Sequence, residues 1–151
     1  MFITNHALAG AAIGLVARRP AAAFVTGVAS HLAMDMVLHW GDELGWDEFV
    51  QVAKVDGTVG LGVCAALLAT APTRARPAIA AGIAGACLID MDKPGLHFFG
   101  RSPFPLAVDR FHCRIQNQRP VGGLIEAATA AGLAATLLVL RGRGSAPRRS
   151  R

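Results

Sequence analysis

Residues Pro20–His39 read PAAAFVTGVASHLAMDMVLH, an apolar run whose only ionisable residues are His31, Asp35 and His39. Pro20 suits the first turn of a helix, and no second proline follows it, so one helix is expected over about residues 20–39. A spacing of four puts His31 and Asp35 on one helical face, a turn apart, with His39 a turn further. Imidazole and carboxylate aimed from one face into a common space are ligands for a divalent metal. Ionisable groups inside an apolar segment are costly to keep, which favours a functional reading. His39 falls about 12 Å along the axis from His31. One ion therefore takes His31 and Asp35, and His39 is left to a second ion, to support of a ligand, or to proton transfer.

The surrounding composition sets the environment of that helix. Of 151 residues, 53% are hydrophobic and 17% are charged, where a soluble domain carries about a quarter charged residues. Mean hydropathy is +0.43. The apolar content is Ala- and Gly-rich with few aromatics, which suits close helix–helix contact in a bilayer. Gly10-x-x-x-Gly14 fits such contact. An all-α integral membrane bundle of about four to five short helices follows, with a long loop between the last two. Residues 1–140 form its single domain and 141–151 a disordered basic tail.

The net charge of +5 lies entirely in that tail, through Arg141, Arg143, Arg148, Arg149 and Arg151, so residues 1–140 are neutral. Such a tail beside a membrane is held by anionic lipid, and no nucleic-acid partner is expected. Cys64, Cys87 and Cys113 have no CxxC spacing and form no even set, which points away from a disulfide framework and a thiolate zinc site.

Helices are expected over about 4–17, 20–39, 55–68, 77–90 and 121–140, the last being the best membrane span despite Glu126. No strand is expected. Arg18 and Arg19, Arg74 and Arg76, and the tail fall on one side, which the positive-inside rule makes cytoplasmic. The N-terminus and the acidic loop 39–56 then face outward. The same topology gathers His6, Asp35, His39, Asp90, Asp92, His97, Asp109 and His112 near the outer face, with His31 deeper on the same stripe. His6, His31, Asp35 and Asp90 are the candidate metal ligands. Asp92 and His112 are candidates for base chemistry, and His39, His97 and Asp109 for supporting positions around the metal. Trp40 and Trp46 read as anchors at the membrane interface. The stretch 91–120 carries four prolines, and its Phe98, Phe99, Phe104 and Phe111 beside Arg101, Arg110 and Arg114 suit a lipid-like anionic substrate.

Three motifs carry a resemblance. Thr4-Asn5-His6, then Ser30-His31-Leu32-Ala33-Met34-Asp35, then Asp90-Met91-Asp92 resemble the small membrane-bound metal-dependent hydrolases of bacteria. The likeness covers about residues 4–40 and 88–112. It implies a metal site of His6, His31, Asp35, Asp90 and Asp92 in a bundle of short hydrophobic helices. Asn5 interrupts the Thr-His pair of that family, Ile89 stands where a proline often precedes Asp-x-Asp, and the Thr-His-Ser element has no counterpart beyond Asp109-Arg110-Phe111-His112.

The resulting expectation is a hydrolase of the cytoplasmic membrane with zinc or manganese on the extracytoplasmic face, acting on a phosphoester or lipid-associated substrate. Its partners are membrane lipid and a small or lipid-like anionic substrate. The alternative is a non-catalytic membrane protein with a structural metal site or a role in handling metal or protons.

Overall fold

The computed structural model describes residues 1–41 and 44–145 and is all-α apart from one two-residue strand pair. Seven α-helices run among the described residues: α1 (Ile3–Ala17), α2 (Pro20–Asp35), α3 (Trp46–Thr70), α4 (Arg76–Cys87), α5 (Asp92–Phe99), α6 (Leu106–Ile115) and α7 (Leu124–Ser145). Single 3₁₀ turns at Thr73–Ala75 and Ile89–Met91 lead into α4 and α5. Strand β1 (His39–Trp40) pairs in parallel with β2 (Gln118–Arg119), with His39 opposite Gln118.

Helix α4 packs between α1 and α2 on a surface nearly without side chains. A Cβ on Gly10 would enter the backbone of Gly82, one on Gly82 would enter the carbonyl of Gly10, and one on Gly14 would enter Ala78 and Ile79. Gly27 and Gly85 play the same part between α2 and α4. The Gly10-x-x-x-Gly14 spacing thus lies in a helix interface where backbones touch. Leu8, Ala11, Ala71, Ile79 and Leu137 form the buried apolar cluster. Because the neighbouring atoms at Gly82 are backbone, they cannot swing aside. Gly82→Leu is therefore expected to cost about 3 kcal/mol or more, read as a lowered Tm in detergent, whereas Gly62→Leu, whose Cβ meets nothing within 4 Å, will leave Tm nearly unchanged.

Helices α3 and α7 lean on α1 from outside, and both are long and apolar enough to cross a membrane (Trp46–Thr70 and Leu124–Arg143). Their outward faces are bare and aliphatic, with Val55 67% and Leu124 81% exposed.

Five expectations need correction. The second helix stops at Asp35, so His39 lies in β1 and not on the helical stripe of His31. Asn117, brought from far along the chain, donates its N–H to the Asp35 carbonyl and its side-chain amide to that of Met36, taking up carbonyls of the final turn. The third helix starts at Trp46, making it 25 residues long. Gly45 N–H donates to Glu48 Oε2 at 3.3 Å there, and Asp47 and Glu48 sit favourably at the positive end of the helix. The segment 91–120 is not one long loop but carries α5 and α6. A strand pair exists, although of two residues only. Helix α7 continues through Arg141 and Arg143 to Ser145, so the basic end is helical at its start. Asp42, Glu43 and residues 146–151, including Arg148, Arg149 and Arg151, lie outside the described residues.

Candidate metal centre

Four elements each deliver part of one buried cluster. Helix α1 brings His6, α2 brings His31 and Asp35, the turn from α4 into α5 brings Asp90 and Asp92, and α6 brings His112. All six side chains are buried, with His6, His31 and Asp35 at 0% exposure. Asp35 is the hub. Its Oδ2 lies 3.1 Å from both His31 Nε2 and His112 Nε2, and its Oδ1 lies 3.2 Å from His6 Nε2. Asp90 closes the other side, 3.9 Å from His6 Nε2 and 3.7 Å from His112 Nε2.

The hydrogen bonds at the rear of the rings fix which nitrogens face inward. His31 Nδ1–H donates to the Ala86 carbonyl at 2.6 Å, in the last turn of α4 where carbonyls lack helical partners. His112 Nδ1–H donates to Asp92 Oδ2 at 3.1 Å. In the neutral imidazoles this network leaves both Nε2 lone pairs directed at Asp35, which is how metal-ligating histidines are held. His6 Nδ1 is buried with no partner among the described residues. The donors fall into three groups, His6–His31–Asp90, His31–Asp35–His112 and Asp90–Asp92–His112, with ligand atoms within 4.8 Å of one another in each. Ligands at about 2.0–2.2 Å from one small divalent ion lie roughly 3–4 Å apart, so the contacts of 3.1–3.9 Å already match that scale. This buried His/Asp cluster can hold a metal ion.

Lys93 balances part of the negative charge. Its Nζ lies 2.7 Å from Asp90 Oδ1 and 3.4 Å from Asp92 Oδ1. Burial works against the ammonium, yet the two carboxylates outweigh it and raise its pKa. Asp92 is buried too, but the His112 hydrogen bond and the Lys93 charge hold its carboxyl below the usual range. Burial likewise opposes a charged His112, and Asp35 and Asp92 overcome it, lifting the imidazole to about 9.

Of the remaining sequence candidates, His39 is buried with Nδ1–H donating to the Val37 carbonyl at 2.8 Å, and it joins none of the three donor groups. His97 is exposed against Phe98. Asp109 accepts from Ser102 Oγ at 2.8 Å and stays out of the cluster. Neither belongs to a donor group.

Sequence reading missed the carboxylates that hold His6 in place. The first amides of α1 have no helical acceptor. Ile3 and Thr4 N–H donate to Asp56 of α3 at 2.6 and 3.3 Å, and Phe2 N–H donates to Glu126 of α7 at 3.2 Å. Asn5 Nδ2 donates to Glu126 Oε2 at 2.7 Å, and Trp40 N–H to Oε1 at 3.4 Å. Carboxylates at a helix N-terminus also meet its positive end. The signal was present, since both acids stand inside apolar helical runs. Glu126→Ala will strand these buried donors and is expected to cost about 2 kcal/mol or more, seen as a lower Tm, with Glu126→Gln retaining part of it.

No family model, curated protein or solved structure matches the chain.

Proposed function

We propose that this chain is a membrane-embedded, divalent-metal-dependent hydrolase acting on a phosphoester or another polar bond in a lipid-associated substrate. The observation that carries the reading is the convergence of three imidazole Nε2 atoms and the carboxylates of Asp35 and Asp90 in a buried space. In it His6, His31, His112, Asp35 and Asp90 would hold the metal. A bound divalent ion supplies Lewis-acid polarisation and lowers the pKa of a water molecule enough to make it a nucleophile. The chain's own groups do the holding. Ala86 and Asp92 keep the Nδ1 protons of His31 and His112, fixing both rings. Asp92 is thereby an orienting carboxylate, and His112 a ligand. Lys93 offers an ammonium beside the cluster for an anionic group. Two helices long and apolar enough to cross a membrane, the bare aliphatic faces of α3 and α7, and the likeness to the bacterial membrane-bound hydrolases support the embedding. By the positive-inside rule, the arginine-bearing turns favour a cytoplasmic basic end of α7, with the cluster on the opposite side.

Elemental analysis of detergent-purified protein, wild type beside His31→Ala, tests the reading. Near-stoichiometric zinc or manganese in the wild type alone, with metal-dependent release of phosphate from a phosphoester panel, is the expected result. A folded protein that takes up no divalent ion after reconstitution would end it. Release from membranes by salt without detergent would end the embedding.

A further inference from the structure

A cavity of about 630 Å³ runs between α3 and the adjoining parts of α1, α4 and α5. Most of its wall is apolar, built by residues such as Phe2, Phe49, Val50, Leu61 and Ile83. Where it reaches the cluster the lining turns polar, through Asp90, Lys93 and Gln116. Gln116 Nε2 there lies 3.0 Å from His112 Nε2, and Lys54 of α3 adds a second ammonium to the wall.

We infer that this cavity is the acyl-chain site of a single-chain phosphate amphiphile, whose head lies at the Asp90–Lys93–Gln116 end. The volume argues for one chain. At about 30 Å³ for a group the size of a methylene or a water, it takes roughly twenty such groups, enough for one acyl chain and too few for two. The wall argues for hydrocarbon, since each buried methylene contributes about 0.8 kcal/mol. Lysines and acids balance on this wall, Lys54 and Lys93 against Asp56 and Asp90, so the charge of the wall does not by itself select the head. The placement of the phosphate rests on the metal-hydrolase reading above, while the placement of the chain rests on the cavity alone.

The cavity carries its own reporter, for Trp40 and Trp46, the chain's two tryptophans, both line it. The full chain in nanodiscs of unbrominated phosphatidylcholine is titrated with lysophosphatidic acid brominated midway along its acyl chain, and tryptophan quenching is followed. Quenching that saturates at one equivalent is expected, above the unsaturable rise that bilayer bromolipid produces. Gly57→Phe plugs the space: Gly57 lines it and its Cβ meets nothing within 4 Å. Replacing a helical glycine also favours the helix, so this variant keeps its fold. It should weaken the saturable phase at least about tenfold, and the equally brominated monoacylglycerol, which lacks the phosphate, should bind at least about tenfold more weakly.

A purely linear rise with bromolipid, or equal saturation in wild type and Gly57→Phe, overturns the inference. Equal binding of the monoacylglycerol overturns the phosphate assignment. Metal analysis of the same nanodiscs separates the two readings. Saturable, phosphate-selective quenching without bound metal leaves the amphiphile site standing and removes the hydrolase. Bound metal without saturable quenching does the reverse.

Discussion

Asp35→Asn is expected to reduce bound metal from near stoichiometric to undetectable while changing the shape of the site very little. The carboxylate is met by all three cluster imidazoles, at 3.1, 3.1 and 3.2 Å. An amide keeps the volume but removes the negative charge and turns one lone-pair face into a donor. Substitution of a group that merely supports a ligand costs about 10–100-fold in metal affinity, and loss of this shared carboxylate should exceed that range. Titration of the metal-free variant with zinc or manganese measures it directly. Retention of wild-type affinity would show that the three imidazoles and Asp90 suffice, and the hub role of Asp35 would fall. Asp92→Asn is the companion measurement. It leaves the inner donors in place and loosens His112, so a smaller loss, within the 10–100-fold range, is expected.

The second large effect is on pH, and it has opposite signs with and without metal. In the metal-free chain His112 stays protonated up to about 9, because Asp35 and Asp92 outweigh the burial that opposes its charge. A ligating Nε2 must be bare, so an ion that binds below that pH expels a proton. Apparent metal affinity should climb about tenfold per pH unit above neutrality and level off near pH 9. Stability of the metal-free fold runs the other way. The folded pKa lies above the ordinary 6.5, so the contribution of His112 is complete below about 6.5 and is lost as pH rises through about 9. Calorimetric titration across that window, paired with thermal unfolding of the chelated protein, reads both slopes. Affinity that does not change with pH would remove His112 from the ligand set.

Helix α1, most of α2 and the nearness of His6, His31, Asp35, Asp90, Asp92 and His112 were legible in the sequence from spacing and loop charge, but the same reasoning also drew in His39, His97 and Asp109, which stay outside the donor groups. What escaped was set by partners far along the chain. Nothing near Asp35 announces the end of α2; Asn117 supplies the donors that finish it, and His39 pairs with Gln118. The start of α3 did have a local sign, acids in the first turn after Gly45, which reads equally well as an acidic loop. Prolines hid α5 and α6. Pro94 is the third residue of α5 and Pro105 immediately precedes α6, positions where proline costs a helix little. In the site, the helix periodicity of α2 located His31 and Asp35. The division of labour between Asp90 and Asp92 needed the 3₁₀ turn at Ile89–Met91, which points one carboxylate at the imidazoles' inner edges and the other at the back of His112.

Helix α6 holds to the bundle by a narrow attachment, and that has a consequence for how the protein breathes. Its outer flank is bare, with Leu106 62% and Phe111 51% exposed, and His112 is its only buried residue. Backbone opening of α6 then costs little beyond the contacts of that one ring, whereas α1, α2 and α4 share interlocked backbones. An ion bound through His112 would add its binding free energy to the closed state of α6 alone. Amide hydrogens of α6 would exchange slowly in the loaded protein and quickly after chelation, with those of α1 and α4 unmoved. The least anchored helix would thus be the one whose local unfolding equilibrium reports occupancy of the centre.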